Sequence, residues 1–252
     1  MPTSLLTPLP NARPLLCQPL LAALLLLMAA SQASAGRPLA TDDAGTADAG
    51  SCQVEAWAER SRGAADGAGV VAPACGLVSG LELGGDHTRH PAGTGLHGAA
   101  SLGLKWVPAG WASDTPWGPL ALGLKAAVGY ERPAGAAWRR SAASLLGLAT
   151  LRLAEPLALH ANLGPQRKAD DGSTSTHLRL ALAWTPHPAA LLLAETQATD
   201  RPAINGGTVN SLGGRWWLLA DRLGLDLTAS REAGAASATR WSLGLGWYGI
   251  GR

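Results

Sequence analysis

The sequence alternates between apolar residues and small or charged residues over a long stretch near its middle. In the segment Trp117–Glu131, the even-numbered positions from Leu120 to Tyr130 are apolar, and the odd-numbered positions include Gly123 and Lys125. A period of two is typical of a β-strand whose two faces meet different surroundings. The apolar face spans about eleven residues, the length that a tilted strand needs to cross a bilayer.

The same alternation returns elsewhere in the chain as the pattern Leu-Gly-Leu. An opposite face made of small and charged residues would form a poor protein core, but it suits the wet or tightly filled interior of a barrel. The repeated pattern therefore predicts an all-β fold, an antiparallel transmembrane β-barrel with its leucines facing lipid. The pattern occurs at Leu102–Leu104, Leu122–Leu124, Leu146–Leu148, Leu223–Leu225 and Leu243–Leu245.

The connections between the predicted strands give their number and direction. After residue 117, polar stretches alternate with very short turns, and outer-membrane barrels place their short turns in the periplasm. Extending this alternation back to residue 52 requires one more descending strand, for which Gly67–Cys75 is the only segment left. We therefore predict a barrel domain of about twelve strands over residues 52–252, with both termini in the periplasm. The strands are predicted at Cys52–Arg62, Gly67–Cys75, Gly76–Gly84, Leu96–Val107, Trp117–Glu131, Trp138–Leu153, Leu157–Gly164, Thr176–Thr185, Ala189–Ala198, Val209–Leu219, Leu223–Ser230 and Thr239–Ile250.

The N-terminus has the features of a secretory signal peptide. Arg13 precedes the short apolar run Pro19–Ala30, and Ala33-Ser-Ala35 fits a signal cleavage site. We therefore predict a signal peptide over residues 1–35 and export to the bacterial outer membrane. The next segment, 36–51, is small, acidic and aperiodic, and we expect an irregular periplasmic segment there. The sequence does not decide whether this segment folds back into the barrel.

Tryptophan and net charge narrow the class of protein further. The chain has ten tryptophans and no phenylalanine, and its net charge is +2, which gives no indication of nucleic-acid binding. Many tryptophans lie at predicted strand ends, as in the aromatic belts at the boundary of a membrane. The alternative is that they fill the core of a soluble sandwich. The residues concerned are Trp57, Trp106, Trp117, Trp138, Trp184, Trp216, Trp217, Trp241 and Trp247.

Two cysteines, Cys52 and Cys75, follow the predicted signal peptide. Two cysteines in an exported protein most simply form one disulfide. The predicted first hairpin places them at its start and end, where a cross-strand disulfide fits. They offer too few ligands for a zinc site.

The predicted strands also assign polar residues to the inside of the barrel. Both signs of charge occur there in similar numbers, so these side chains should pair across the lumen or be solvated. They would line a small polar channel or fill a salt-bridged, non-conducting interior. The residues predicted to face the lumen are Glu55, Glu59, Glu82, Lys105, Lys125, Arg152, His160, Asn162, His177, Arg179, Glu195, Arg215 and Asp226.

Catalytic, metal and cofactor sites are not indicated. Outer-membrane phospholipases and deacylases carry a His-x-Ser arrangement, and none of the six histidines here has serine two positions later. His87, His90 and His97 are irregularly spaced in a loop rich in proline and glycine, which favours solvated histidines over a metal site. No glycine-rich phosphate loop stands out, because the glycines alternate with leucine in strands. We expect no enzyme activity, no metal and no cofactor.

The segments Arg37–Ala44 and Asp48–Trp57 resemble outer-membrane proteins of the family named for the meta-pathway of phenol degradation. Leu81–Gly85, Leu159–Gly164 and Trp241–Leu245 are also similar to it. The resemblance implies a barrel that moves small compounds, hydrophobic ones included, across the outer membrane. It carries over no functional residues, and the substrate class stays open.

These observations favour an outer-membrane barrel that acts as a passive channel or transporter-like protein for small molecules. Its partners would be outer-membrane lipid, the barrel-insertion machinery and an unidentified small solute. One alternative is a non-conducting structural or surface-interaction barrel. Another is a secreted soluble β-sandwich whose leucine faces pack on each other.

Overall fold

A computed structural model describes residues 40–61, 67–91, 95–233 and 238–251. Within these ranges the chain forms a single antiparallel sheet of thirteen strands. The strands are β1 (Cys52–Ser61), β2 (Gly67–Val78), β3 (Leu81–Arg89), β4 (Leu96–Trp106), β5 (Ser113–Thr115), β6 (Gly118–Pro133), β7 (Arg139–Ala154), β8 (Leu157–Lys168), β9 (Thr174–His187), β10 (Ala190–Thr199), β11 (Val209–Leu219), β12 (Leu223–Glu232) and β13 (Arg240–Ile250).

The sheet closes into a barrel because every long strand pairs with a neighbour on both sides. β1 pairs with β13, and β4 pairs with β6. The three-residue strand β5 pairs only with the first residues of β6. It lies beside β6 on the same side as β4, so it continues the position of β4 and does not count as a separate strand of the wall. The wall therefore has twelve strands, and the predicted transmembrane barrel is confirmed.

Within the described ranges, helical structure is limited to short connections. A 3₁₀ turn covers Ala109–Trp111, and one short helix, α1, covers Pro202–Asn205. In the described ranges, no helix has the length and hydrophobicity to cross a membrane.

The two ends of the barrel differ in their connections. At one end, four hairpins turn at 79–80, 155–156, 188–189 and 220–222, and one longer connection runs over 107–117. At the other end, the strands are joined by longer stretches such as 200–208 and 134–138. Outer-membrane barrels keep short turns in the periplasm, so β1 begins and β13 ends at the periplasmic end.

Leucine and tryptophan cover the outside of the wall. In β13, Leu243 and Leu245 are exposed, while Ser242 and Tyr248 on the opposite face are buried. Large apolar side chains on every strand except β1 and β5 are exposed in this way, which suits contact with lipid and not with water. A soluble sandwich would bury these faces, so that alternative is wrong. Exposed tryptophans form two belts: Trp106, Trp111, Trp117, Trp184, Trp216 and Trp247 near the periplasmic end, and Trp138 and Trp241 near the outer end.

Strand β7 reverses the predicted faces. Leu146 and Leu148 are buried in the lumen, whereas Leu145 is exposed on the lipid side. The sequence here has leucine on both faces, so the Leu-Gly-Leu pattern alone does not fix its orientation. Trp57 and Trp217 also lie inside the barrel and not in a belt: the Trp57 indole donates to Glu59, and Trp217 packs on Tyr248.

The boundary between β2 and β3 differs from the prediction. We expected a strand at Gly76–Gly84 followed by an outer loop at Gly85–Gly95, but β2 continues to Val78 and β3 extends to Arg89. The hairpin turns at Ser79 and Gly80, where Gly80 has a φ of 76°. A two-residue hairpin needs such a positive φ, which glycine adopts without strain.

The Cys52–Cys75 disulfide is confirmed. The two residues are directly opposite in the β1–β2 pair, with Cα atoms 4.0 Å apart. The bond therefore ties the periplasmic end of the first hairpin, immediately after the irregular segment.

A charge on the lipid face tests the assignment of faces. Leu102 is 58% exposed and lies in the middle of β4, so Leu102→Arg should lower the free energy of unfolding by about 2–4 kcal/mol. Leu153→Arg near the end of β7 is the matched control and should cost about 0–1 kcal/mol, because arginine reaches the headgroups there. Urea unfolding of the barrel in lipid vesicles measures both. Equal effects at the two positions would contradict this assignment.

Candidate functional site

The inside of the barrel holds the polar residues singled out in the sequence. Most are buried: Asn162 is fully buried and Arg215 is 2% exposed. Lys125 and Arg179 are partly exposed to the interior space. The structure places on the inner face Glu55, Glu82, Lys105, Lys125, His160, Asn162, Arg179, Glu195, Arg215 and Asp226.

The segment that precedes β1 lies inside the barrel. We expected an irregular periplasmic segment over residues 36–51 and left open whether it folds back into the barrel; the described part, 40–51, enters the lumen from the periplasmic end. It has no regular secondary structure, and side chains of the barrel wall supply hydrogen-bond partners for many of its polar groups. We call residues 40–51 the lumenal segment. It contacts side chains from seven strands in a row along the wall: Glu82 of β3, Lys105 of β4, Lys125 of β6, Thr150 of β7, Asn162 of β8, Arg179 of β9 and Glu195 of β10.

Asp42 makes the most concentrated set of these contacts. Both of its carboxylate oxygens lie near the Lys125 ammonium, at 3.1 and 2.8 Å. Lys105 Nζ lies 3.5 Å from the same carboxylate. Asn162 accepts the Asp42 backbone N–H at 2.7 Å and donates to its carbonyl oxygen at 2.8 Å. The wall therefore binds both the charge of Asp42 and its backbone N–H and C=O groups.

The charge state of Asp42 follows from these neighbours. Burial in the lumen raises the pKa of this carboxyl, but the positive charges of Lys105 and Lys125 outweigh that effect and lower the pKa below its usual 3.8. Asp42 thus stays ionised at neutral pH. Because its folded-state pKa is depressed, the stabilisation it provides is present at neutral pH and is lost as the pH falls through the folded-state pKa.

The flanking residues of the lumenal segment bind in the same manner. Glu195 accepts a hydrogen bond from the Thr41 backbone N–H at 2.6 Å, and Arg179 donates to the Ala40 carbonyl at 2.8 Å. Glu82 accepts the Ala47 N–H at 2.7 Å. Satisfied backbone groups are required where water is scarce, so these wall residues allow an irregular chain to lie in the lumen.

An apolar contact supports the segment on one side. Ala44 packs with Leu146 and Leu148, which are the two leucines that face inward from β7. Its backbone N–H donates to the Thr150 hydroxyl at 2.8 Å, and that hydroxyl also pairs with His160 Nδ1. Because Leu146 and Leu148 face inward, β7 provides the apolar surface on which Ala44 of the segment packs.

The C-terminal end of the lumenal segment, its root, packs against a glycine of the wall. Ala49 forms a parallel bridge with Gly76 of β2, and Gly50 N–H donates to the Gly76 carbonyl at 2.9 Å. A Cβ atom at position 76 would lie 2.3 Å from the Ala47 and Asp48 carbonyl oxygens. Any side chain there would push the segment away from the wall.

The remaining side of the periplasmic half is filled by a cluster around Arg215. Its guanidinium binds Asp226 through two hydrogen bonds of 2.7 and 2.8 Å and lies 3.3 Å from Glu55. The rings of Trp217 and Tyr248 stack near it at 5.1 and 4.8 Å, and the Tyr248 hydroxyl donates to Glu55. These residues come from β11, β12, β13 and β1. The contacts of the lumenal segment described above involve none of these four strands.

A cavity of about 600 Å³ lies in the lumen, and its lining extends from Glu59 and Arg240 in the outer half to Gln53, Glu82 and Lys105 near the periplasmic ends of their strands. Ala40, Thr41 and Asp42 of the lumenal segment also line it. Its wall is roomy because strands β2, β3, β4 and β6 contribute small side chains there. These are Ala72, Ala74, Gly84, Gly85, Ser101, Gly103 and Ala127.

Two features were not identified from the sequence. The lumenal position of 40–51 has no periodic signal, although Asp42 and Asp43 are a visible acidic pair. The second is Ser175, whose hydroxyl lies 3.0 Å from His177 Nε2. The His-x-Ser arrangement has serine two positions after histidine, whereas here serine comes two positions before histidine.

His87, His90 and His97 do not gather into a site. The His87 ring packs against Trp138 at 5.9 Å. In the described part of the chain, no group of three or more His, Cys, Asp or Glu side chains is placed to hold a metal ion.

The Arg215 cluster gives a stability prediction. Arg215→Met leaves Asp226 and Glu55 as buried charges without their cation, so it should lower the free energy of unfolding by about 3–5 kcal/mol. Arg240→Met is the control, since Arg240 is largely exposed and makes one ion pair, to Glu59, at the long distance of 3.8 Å. This substitution should lower the free energy of unfolding by about 1 kcal/mol or less. Urea unfolding followed by tryptophan fluorescence measures both. A small loss for Arg215→Met would show that the cluster does not hold the wall.

Comparison with solved structures agrees with the barrel geometry. The NanC porin superposes with a TM-score of 0.60 at 6% identity, covering 77% of this chain and 98% of that one. The KdgM porin gives a TM-score of 0.57 at 8% identity with the same coverage, and a structure of KdgM porin in complex with disordered oligogalacturonate gives 0.55. At these identities the likeness establishes the fold. The chain is a transmembrane β-barrel with the fold of outer-membrane porins.

Comparison of sequences gives a family. No curated protein matches the chain. The expected resemblance to the phenol meta-pathway proteins stays a prediction, and the predicted signal peptide lies outside the described residues. A family match covers residues 22–246, nearly the whole chain, and on that match the protein belongs to the family described as uncharacterised conserved protein UCP029691.

Proposed function

We propose that this protein is a gated channel for small polar molecules in the bacterial outer membrane, and that the lumenal segment is its gate. The observation that carries the proposal is the polar cavity of about 600 Å³ inside a closed barrel, with Ala40–Asp42 in its lining. In this proposal a solute entering from the outside meets these residues, and the segment has to move for the solute to pass. The gate refines the passive channel expected from the sequence.

The construction of the wall supports passage over a purely structural role. A barrel of twelve strands is wide enough to leave interior space unless large side chains fill it. Here the outer half is lined by small and polar side chains, and the periplasmic half is filled in large part by a chain segment with no strand pairing to the wall beyond Ala49. A segment held through side chains can leave without breaking the barrel's hydrogen-bond ladder.

The alternative is a non-conducting structural barrel, and one observation favours it. The lumenal segment is held by charged and polar groups from seven strands, so its displacement breaks many contacts at once. Each hydrogen bond to a charged group contributes about 1.5–3 kcal/mol. The choice between gate and permanent plug therefore depends on whether weakening a few contacts opens the pathway.

We propose no enzymatic role. Ser175 and His177 are paired, but Ser175 is only 5% exposed and lies within the wall of β9. A hydrolytic site would also need donors for the developing oxyanion near the serine, and the contacts of this pair include none in the described residues. The geometry favours passage of unmodified solutes.

Single-channel recording of the protein purified from membranes tests the gate. Wild type should be mostly closed, with brief openings. Asp42→Asn removes the charge that holds Lys125 and Lys105, and Gly76→Ala displaces the root of the segment without changing any charge. Each variant should raise the open fraction about tenfold or more, because a loss of about 1.4 kcal/mol shifts a two-state equilibrium tenfold.

Asp171→Asn in the outer loop between β8 and β9 is the control and should leave the open fraction unchanged. Heat-modifiable migration on a denaturing gel confirms that each variant is folded. Silent bilayers with wild type and both variants would support the non-conducting alternative. A fully open wild type would show that the segment does not block passage.

A further inference from the structure

The contacts of Asp42 describe a ligand site in the barrel wall. Lys105 and Lys125 are directly opposite each other on β4 and β6. Like charges at directly opposite positions of an antiparallel pair are destabilising, more so in an interior with little water. The arrangement is stable here because the Asp42 carboxylate lies between the two ammonium groups.

We propose that Lys105, Lys125 and Asn162 form a binding site for small molecules that carry a carboxylate next to an amide, and that Asp42 occupies this site in the closed state. The side chain of Asp42 stands in for the carboxylate of the solute, and its backbone N–H and C=O stand in for the solute's amide groups. The inference rests on the proposed channel for its role in transport, but the site itself can be measured without conduction.

The wall does not neutralise these lysines by itself. Lys105 has Glu82 at 3.7 Å, while within the described residues the hydrogen bonds and ion pairs of Lys125 are all to Asp42. When the segment leaves, the ammonium of Lys125 therefore loses its counter-charge. A soluble carboxylate restores that pairing, and charge-assisted hydrogen bonds of this kind are among the stronger ones.

Asn162 sets the requirement for an amide. Its side chain is fully buried, and it accepts the Asp42 N–H at 2.7 Å and donates to the Asp42 carbonyl oxygen at 2.8 Å, two groups that belong to the two amides on either side of the Asp42 Cα atom. A carboxylate with no amide would leave this buried donor and acceptor without partners, which costs about 1–3 kcal/mol for each group. The site should thus prefer N-acylated acidic amino acids and acidic peptides over simple carboxylates.

The site can be reached from the cavity. Asp42, Lys105 and Lys125 all line it, and the Lys125 side chain is 32% exposed. A volume of about 600 Å³ lies within the range of small-molecule sites. A solute entering from outside would compete with Asp42 for the same groups, and its binding would favour release of the segment. The cavity also carries Glu59 and Asp86, so a preference for cationic solutes is the opposite outcome to test.

Isothermal titration calorimetry of the whole protein in detergent micelles tests the site. The probe is N-acetyl-aspartic acid α-amide, which reproduces the carboxylate and both amides of Asp42. Asp42→Asn should bind the probe at least about tenfold more tightly than wild type, because the competing carboxylate is gone. The matched probe N-acetyl-asparagine α-amide should bind at least about tenfold more weakly than the acid.

Two further variants tie the binding to the lysine pair. Asp42→Asn with Lys125→Met should lose the binding, and Asp42→Asn with Lys125→Arg should keep it, because arginine retains the charge. The inference is overturned if the Asp42→Asn protein binds the acid no better than its amide analogue, if Lys125→Met leaves binding unchanged, or if N-acetyl-lysine amide binds more tightly than the acid. Heat-modifiable migration verifies that each variant is folded, and binding without conductance would reject only the proposed channel.

Discussion

Charge neutralisation inside a low-dielectric barrel is the constraint on which this structure depends. A barrel of this size brings inward-facing side chains from all strands close together, and the sequence supplies both signs of charge. Isolated charges in such a place would be costly, so each must meet a partner. Around Arg215 the partners come from neighbouring strands. Around Lys105 and Lys125 they come mainly from outside the sheet, from Asp42 and Asp43.

This division explains why the lumen has two different halves. The periplasmic half contains the Arg215 cluster on the side of β11 to β1 and the lumenal segment on the side of β3 to β10. The outer half lacks both, and the small residues of β2, β3, β4 and β6 leave it open. The periplasmic half of the lumen is thus filled and the outer half is open, although the same strands form the wall of both halves.

Much of the wall could be predicted from the sequence, because a period of two reports directly on the two faces of a strand. All thirteen predicted lumen residues were assigned to a face by this rule, and counting connections recovered the weak strand β2. Strand β7 was misread because leucine occurs at both Leu145 and Leu146, so the period carries no information there. The β2–β3 turn was displaced because Gly80 looked like one more strand glycine. The lumenal segment could not be placed, because its position depends on contacts with seven strands and not on any local pattern.

The attachment of the lumenal segment determines the solute concentration that is needed to displace Asp42 in the proposed channel. Asp42 is seven residues from the Ala49–Gly76 bridge and ten residues from the Cys52–Cys75 disulfide, so its carboxylate is held near the two lysines by a short stretch of chain. A tether this short gives an effective local concentration on the order of millimolar. In the proposed channel, a free solute has to reach a comparable concentration, or bind correspondingly better, before it displaces Asp42. If the segment is the gate, its attachment sets a threshold: the pathway stays closed at low solute levels, and passage begins only when the solute is abundant outside.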